Sequence, residues 1–466
     1  GRRERGGAGE YQGVAMKKVP LALVLSEQPR NGWSPPAEYQ TGTGVPVLTL
    51  SSVTGFEYDG TKTKLTSAPL KDVAHYWLQE GELLITRSNT EDLVGHVAVY
   101  DGFPAQAICC DLIMKMKVDS AKALTRYIYY FLRSPESRTY LSSRAQGASP
   151  TMKKIGKQVV QNIPVPVPPL PEQQRIVGIL DEAFEGIATA TANAEKNLHN
   201  ARALFESYFD SAVTGKLTQE WRRKHGNTEN ASAGLAVRLA ERRKQWTGTG
   251  KYREPDSPIV LKPIDIPKGW VLASPEQITT HIVDCPHSTP KWAESGVLCL
   301  RTTNFKPGFL DLESVRFVSQ QTYKERIMRL EPKPGDVLYS REGGILGVAC
   351  MIPAQLKTCL GQRMMLFRTD PALVLPEFFT AVLNSTLVLS EVIRLTSGAA
   401  SPHLNIFDIR TFPIPLPPIT EQRQIVSKLD AITTETQRLE SIYQHKLAAL
   451  DELKKSLLHQ AFSGEL

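Results

Sequence analysis

One stretch of this chain occurs twice, and that constrains its fold more than any other feature. Ile163 to Asp181 reads IPVPVPPLPEQQRIVGILD, and Phe412 to Asp430 reads FPIPLPPITEQRQIVSKLD. The offset is 249 residues and holds without a gap until Gly215-Lys216-Leu217 falls on Gly464-Glu465-Leu466. A long fixed period means that whatever this block builds is built twice. Each copy begins with Pro alternating with apolar residues, a stiff, extended lead-in. A helix is expected from about Pro171 or Thr420, with Glu172 or Glu421 in a first turn whose dipole favours a carboxylate. Apolar or small residues then recur at steps of mostly 3 and 4, from Ile176 and Leu180 through Leu204 to Ala212. The second copy runs from Ile425 and Leu429 through Leu453 to Ala461. This is the seam of a coiled coil. Both copies carry the same stutter, Ala190-Ala194-Leu198 and Leu439-Tyr443-Leu447. Gly215 and Gly464 fit helix stops. Two helices of roughly 65 Å each follow from the rise per residue, and their matched seams predict an antiparallel pair acting as a spacer.

The duplication extends to the segments between. Gly44 to Leu50 is answered by Gly296 to Thr302, Gly81 to Arg87 by Gly335 to Arg341, and Val94 to Ala98 by Leu346 to Ala349. TRYIYYFL at 125–132 is answered by PEFFTAVL at 376–383, and the loop Gln146 to Pro150 by Ser397 to Pro402. The expected layout is a globular domain at 16–162, a repeat helix at 163–217 and a basic linker at 218–258. A second globular domain follows at 259–411 and a second repeat helix at 412–466. The fold class is α+β, two mixed α/β domains separated by two long antiparallel helices with pseudo-twofold symmetry. Tyr58 to Leu65 reads as a polar hairpin, and Val19 to Leu25 as a first strand or helix. Residues 1–15 are Gly- and Arg-rich and read as an extension before a start at Met16.

At 466 residues the chain holds more than one domain. A net charge of +7 permits nucleic-acid binding without requiring it. Six cysteines without a CxxC pair read as reduced residues of a cytoplasmic protein. Cys285-Pro286-His287 has no second ligand pair, so no metal is expected. No apolar run approaches the length of a membrane span.

A search for catalysis finds little. Ser34-Pro35-Pro36 begins an amino-methyltransferase loop, but Ala37 stands where the aromatic belongs. Thr247 to Tyr252 fails the phosphate-loop pattern. Asp311 with Glu331 and Lys333 imitates a nuclease set and is better explained by turns. Binding chemistry is richer. In the first domain the candidates are Lys62 and Lys64, then Arg87, Ser88, Asn89 and Thr90, then Ser149, Thr151, Lys153 and Lys154. In the second they are Arg301, Thr302 and Asn304, then Arg341 and Glu342, then Ser401, His403 and Asn405. Arg, Asn, Ser and Thr at loop tips suit base edges, and Lys suits phosphates. The basic linker, with Arg222, Arg238, Arg242 and Arg243 among others, is a further candidate for phosphates or a partner surface. A reading from another class is a coiled-coil scaffold or adaptor that binds proteins at both domains.

PxPPLPEQQRIVxxLD at 166–181, PLPPITEQRQIVxKLD at 415–430, GKLTQEWR at 215–222 and AFSGEL at 461–466 resemble the specificity subunits of type I restriction–modification systems. IPKGW at 266–270, VDCPHSTPKW at 283–292 and PGDVLYSR at 334–341 resemble that family's target recognition domains. The first domain departs from the pattern, since Gly32-Trp33 comes after its first apolar segment. The resemblance implies a non-catalytic subunit whose two domains each read half of a bipartite double-stranded DNA site. It implies two methyltransferase subunits and ATP-dependent restriction subunits as partners. S-adenosylmethionine, ATP and Mg2+ would belong to those partners, with no cofactor bound by this chain. The exposed helix faces and the Pro-rich lead-ins are the expected docking sites.

Overall fold

The second long helix begins where Pro417-Pro418 ends a strand and runs over Ile419–Ser463, and the first covers Leu170–Val213. The computed structural model describes residues 17–39, 42–68, 75–149, 152–226, 229–397 and 402–466. The chain forms two units, one from residues 1–196 with 443–466 and the other from 197–442. The division cuts both long helices near their middles, so each unit owns one half of each.

In the first unit a four-stranded antiparallel sheet runs in the order Leu25–Asn31, Ile113–Val118, Leu83–Thr86, Val97–Val99. A smaller sheet places Val45–Leu48 between Thr63–Thr66, antiparallel, and Ile108–Cys109, parallel. Helices Thr125–Arg133 and Pro135–Arg144 follow. The first of these buries Tyr127, Ile128 and Phe131 in one core with Ile176 and Leu180 of the first long helix and Leu458 and Phe462 of the second. Phe462 meets Tyr127 and Phe131 edge-on at ring separations of 5.3 and 5.2 Å. Burial of each such ring is worth about 1.5–3 kcal/mol. The beginning of one long helix therefore lies beside the end of the other, which is the antiparallel arrangement expected.

The second unit repeats the plan. Its sheet order is Thr279–Asp284, Met364–Thr369, Val337–Ser340, Ala349–Met351. Its second sheet again holds a parallel pair, Val297–Leu300 with Thr358–Leu360. Helix Pro376–Leu383 packs Phe378 and Phe379 against Ala212 and Val213 of the first long helix and Ile425 and Leu429 of the second.

Two sequence signals gain a physical cause. Gly215 and Gly464 stand at the ends of the long helices with φ of 72° and 86°, a left-handed turn that residues with a Cβ resist. The Gln of the repeated PEQ/TEQ motif is a clamp. Gln173 accepts from Leu124 N at 2.9 Å and donates to the carbonyls of Pro168 and Lys122 at 2.9 and 3.2 Å. Gln422 accepts from Leu375 N at 2.8 Å and donates to Pro417 and Leu373 at 2.9 and 2.8 Å.

Other expectations are corrected. Thr63–Thr66 pairs with Val45–Leu48, so Tyr58 to Leu65 is no hairpin. Its turn is closed by Asp59, whose carboxylate accepts from Thr61 N at 2.9 Å, while Tyr58 Oη is drawn off to the Phe103 carbonyl at 2.7 Å. Leu204 and Leu453, equivalent seam positions, are 55% and 46% exposed. The seam positions around them stay shielded, Ala201, Tyr208 and Ala212 in one helix and Leu450, Leu457 and Ala461 in the other. The Pro-rich lead-ins are extended, as their pattern predicts: Pro164–Pro166 pairs with Lys18–Pro20 and Ile414–Leu416 with Val271–Ala273.

The basic linker is folded. It forms helices Gln219–His225 and Ala231–Lys244. Arg222, Thr218 and Trp270 converge on the buried Glu421, Thr218 Oγ1 and Trp270 Nε1 donating at 2.6 and 2.8 Å. Arg238 and Arg242 reach the buried Asp370 at 2.7 and 2.9 Å. Burial pushes the Asp370 carboxyl up, but the hydrogen bonds from these two guanidinium groups outweigh it and hold the group below its ordinary range. These arginines are engaged by carboxylates inside the unit.

Candidate nucleic-acid interface

The topology brings together loops that are far apart in sequence. In the first unit Ser88–Asn89 pairs antiparallel with Lys153–Lys154, joining the segment after the strand Leu83–Thr86 to the segment after the short helices. In the second the same junction is made by the bridge between Glu342 and His403. Each domain thus presents one composite edge assembled from the two loops that sequence reading singled out.

The candidate side chains differ in how free they are. Arg87 is half-buried, and its guanidinium has no hydrogen-bond or ion-pair partner among the described residues. Ser88 is buried. Asn89 Oδ1 accepts from Thr90 N at 2.9 Å, and the Thr90 carbonyl accepts from Leu93 N and Val94 N. Lys153 donates to the Gly147 carbonyl at 3.0 Å, while Lys154 and Ser149 are exposed. Lys62 and Lys64 are exposed, and Lys64 lines a cleft of about 300 Å³ with Ser34, Thr49 and Thr66. Thr151 and Ser401 lie outside the described residues.

In the second unit several candidates are occupied by the fold. Asn304 is 3% exposed, takes Arg301 N at 3.0 Å and donates to the carbonyls of Asp311 and Ser314 at 3.0 and 2.9 Å. Arg301 Nη2 donates to the Ser314 carbonyl at 3.1 Å, and Thr302 is half-buried. Arg341 grips Asp284 by two hydrogen bonds at 2.9 and 3.0 Å and also touches Glu342 at 2.8 Å. His403 and Asn405 are exposed. Asp284 was missed by sequence reading. It sits in the VDCPHS motif and holds His287 at 3.0 Å as well as Arg341, a partnership that only the sheet creates.

The nuclease-like set is dispersed into turns, Glu331 accepting from Tyr323 Oη at 2.8 Å and Asp311 from Glu313 N at 3.0 Å. Among the described residues no group of three His, Cys, Asp or Glu is placed to hold a metal. No single helix there is long and apolar enough to cross a membrane.

The family model described as type I restriction modification DNA specificity domain matches residues 28–198 and 317–445. The EcoBI specificity subunit of Escherichia coli is 23% identical over 365 residues, covering 76% of this chain and 68% of that protein. The EcoKI specificity subunit of Escherichia coli strain K12 is 24% identical, covering 73% and 65%. The MjaVIII specificity subunit of Methanocaldococcus jannaschii is 21% identical, covering 73% and 70%. The matches therefore span about two thirds of the relatives' lengths. Among solved structures, a chain from work on complex assembly and conformational transition of the type I R-M system aligns with a TM-score of 0.65 at 18% identity, covering 97% of this chain and 98% of the other. The HsdS subunit from Thermoanaerobacter tengcongensis aligns at 0.50 and 18% identity, covering 99% of both chains. Those two likenesses speak for the fold, and the family model, matching well over half of the chain in two blocks, speaks for kinship: the chain belongs to the type I restriction–modification DNA specificity family.

Proposed function

We propose that this DNA specificity subunit reads a bipartite double-stranded site, one half with each domain. The observation that carries the reading is the duplicated composite edge, Arg87–Asn89 beside Lys153–Lys154 in one unit and Glu342 beside His403 in the other. The same frame with different side chains suits two similar tasks on two different sequences. The long helices act as the spacer that sets the gap between half-sites. The subunit works in the cytoplasm with two methyltransferase subunits and with restriction subunits, and S-adenosylmethionine, ATP and Mg2+ belong to those partners. Leu204 and Leu453, exposed at equivalent positions of the repeat, support docking of two like partners on the helix faces.

The test is DNA binding by the chain copurified with its methyltransferase subunits, on a pool of randomised duplexes at several salt concentrations. Selection of two short blocks separated by a fixed gap, with affinity falling steeply as salt rises, is the expected result. Retention of protein partners without any sequence selection would instead establish the scaffold reading.

A further inference from the structure

The two units place an arginine at one and the same point of one and the same sheet. In the first, Asn31 lies across from Met114, and Arg87 follows Thr86, whose partner is Ile113. In the second, Asp284 lies across from Met365, and Arg341 follows Ser340, whose partner is Met364. The backbones agree further. Arg87 N donates to the Leu112 carbonyl at 2.8 Å, and its own carbonyl accepts from Ile155 N at 2.9 Å. Arg341 does the same with Arg363 and Leu404 at 3.0 and 2.9 Å. Asn31 therefore occupies the place of Asp284.

The chemistry at that place is opposite. Asp284 neutralises Arg341 with a two-point grip, and the two side chains are 10% and 8% exposed. Asn31 has no charge to offer. Among the described residues its buried Oδ1 has no partner, and neither does the half-buried Arg87. A guanidinium that is partly desolvated and unpaired favours a ligand with two adjacent acceptors. The N7 and O6 atoms of guanine in the major groove are such a pair, and arginine is their commonest partner.

We propose that Arg87 is the guanine-reading residue of the first domain, and that the Asn31/Asp284 difference decides it. A carboxylate at this sheet position retires the arginine into the fold, and an amide releases it to DNA. Arg341 is accordingly a positioning residue that orders Asp284, His287 and the Leu404 loop. The proposal rests on the specificity reading above.

The experiment uses the complete complex with its methyltransferase subunits and sequences the duplexes it retains from a randomised pool. Asn31→Asp and Arg87→Lys are each expected to relax preference at one guanine of one half-site by about 5- to 150-fold and leave the other half-site unchanged. Asn31→Asp adds an ion-pair partner, so its unfolding midpoint stays at or above the parent's, which separates lost reading from lost folding. Equal loss of affinity for all sequences would make Arg87 a phosphate contact and overturn the proposal. So would a selective parent whose two variants keep its preference at every position. A parent complex that selects no sequence overturns the specificity reading itself, and this proposal with it.

Discussion

Arg341 shows how a residue chosen for its chemistry can be claimed by the fold. Its removal leaves Asp284 in a protein environment without its main counter-charge, a change that costs about 3–5 kcal/mol when one partner of a buried pair is deleted. Arg341→Ala is therefore expected to lower the unfolding midpoint of the second unit in calorimetry. His96 gives a second residue-level test. It accepts from Gly55 N through Nδ1 at 3.0 Å and meets the Asp92 carbonyl through Nε2 at 3.0 Å, with Phe56 stacked on its ring. Burial, helped by the positive charge of Arg138, pushes its pKa down to about 4. The folded value is thus below the ordinary value of about 6.5, so this contribution to stability is whole above that pH. It falls away as the pH drops towards 4, by up to about 3 kcal/mol. His96→Asn, which keeps an acceptor for Gly55, should flatten the pH dependence of unfolding between these limits.

Among elements, the long helices are the most legible and the most instructive. Their boundaries, glycine stops and antiparallel pairing were readable because helix signals are local and the repeat supplied a second copy of each. The exposure of Leu204 and Leu453 was not, since the seam pattern gives them the same apolar character as their shielded neighbours. The glutamine clamps also escaped sequence reading, because each ties together three backbone groups distant along the chain. Gln422→Ala would leave the Leu375 amide and two carbonyls without their partner in a buried site. A loss of about 1–3 kcal/mol is expected from an unsatisfied buried group, measurable by chemical unfolding and by faster amide exchange at Leu375. The linker is the opposite case. Its run of charge read as a candidate for phosphates or a partner surface, but Glu421 and Asp370, placed far away in sequence, draw Arg222, Arg238 and Arg242 into the second unit.

At the scale of the whole molecule, duplication links architecture to function. If the long helices set the distance between half-sites, four residues inserted after Ala194 lengthen one helix by about 6 Å. The preferred gap in selected duplexes should then change while the two half-site sequences stay the same; an unchanged gap would refute the spacer role. The composite edges were half-legible. The loops Arg87–Thr90 and Arg341–Glu342 could be found from their place at the end of the matching stretches led by Gly81-Glu82 and Gly335-Asp336, and Lys153, Lys154 and His403 from the loop after the short helices. That each pair of loops meets is a property of strand register.

By itself the sequence determined the repeated plan, the long helices and, through its motifs, the family. Those are carried by local periodicity and by an offset of 249 residues, which survive without knowledge of contacts. Tertiary structure alone decided which polar groups remain free. A side chain's availability depends on what the folded sheet brings to it: Asp284 holds Arg341, while Arg87, alike in sequence, has no hydrogen-bond or ion-pair partner among the described residues.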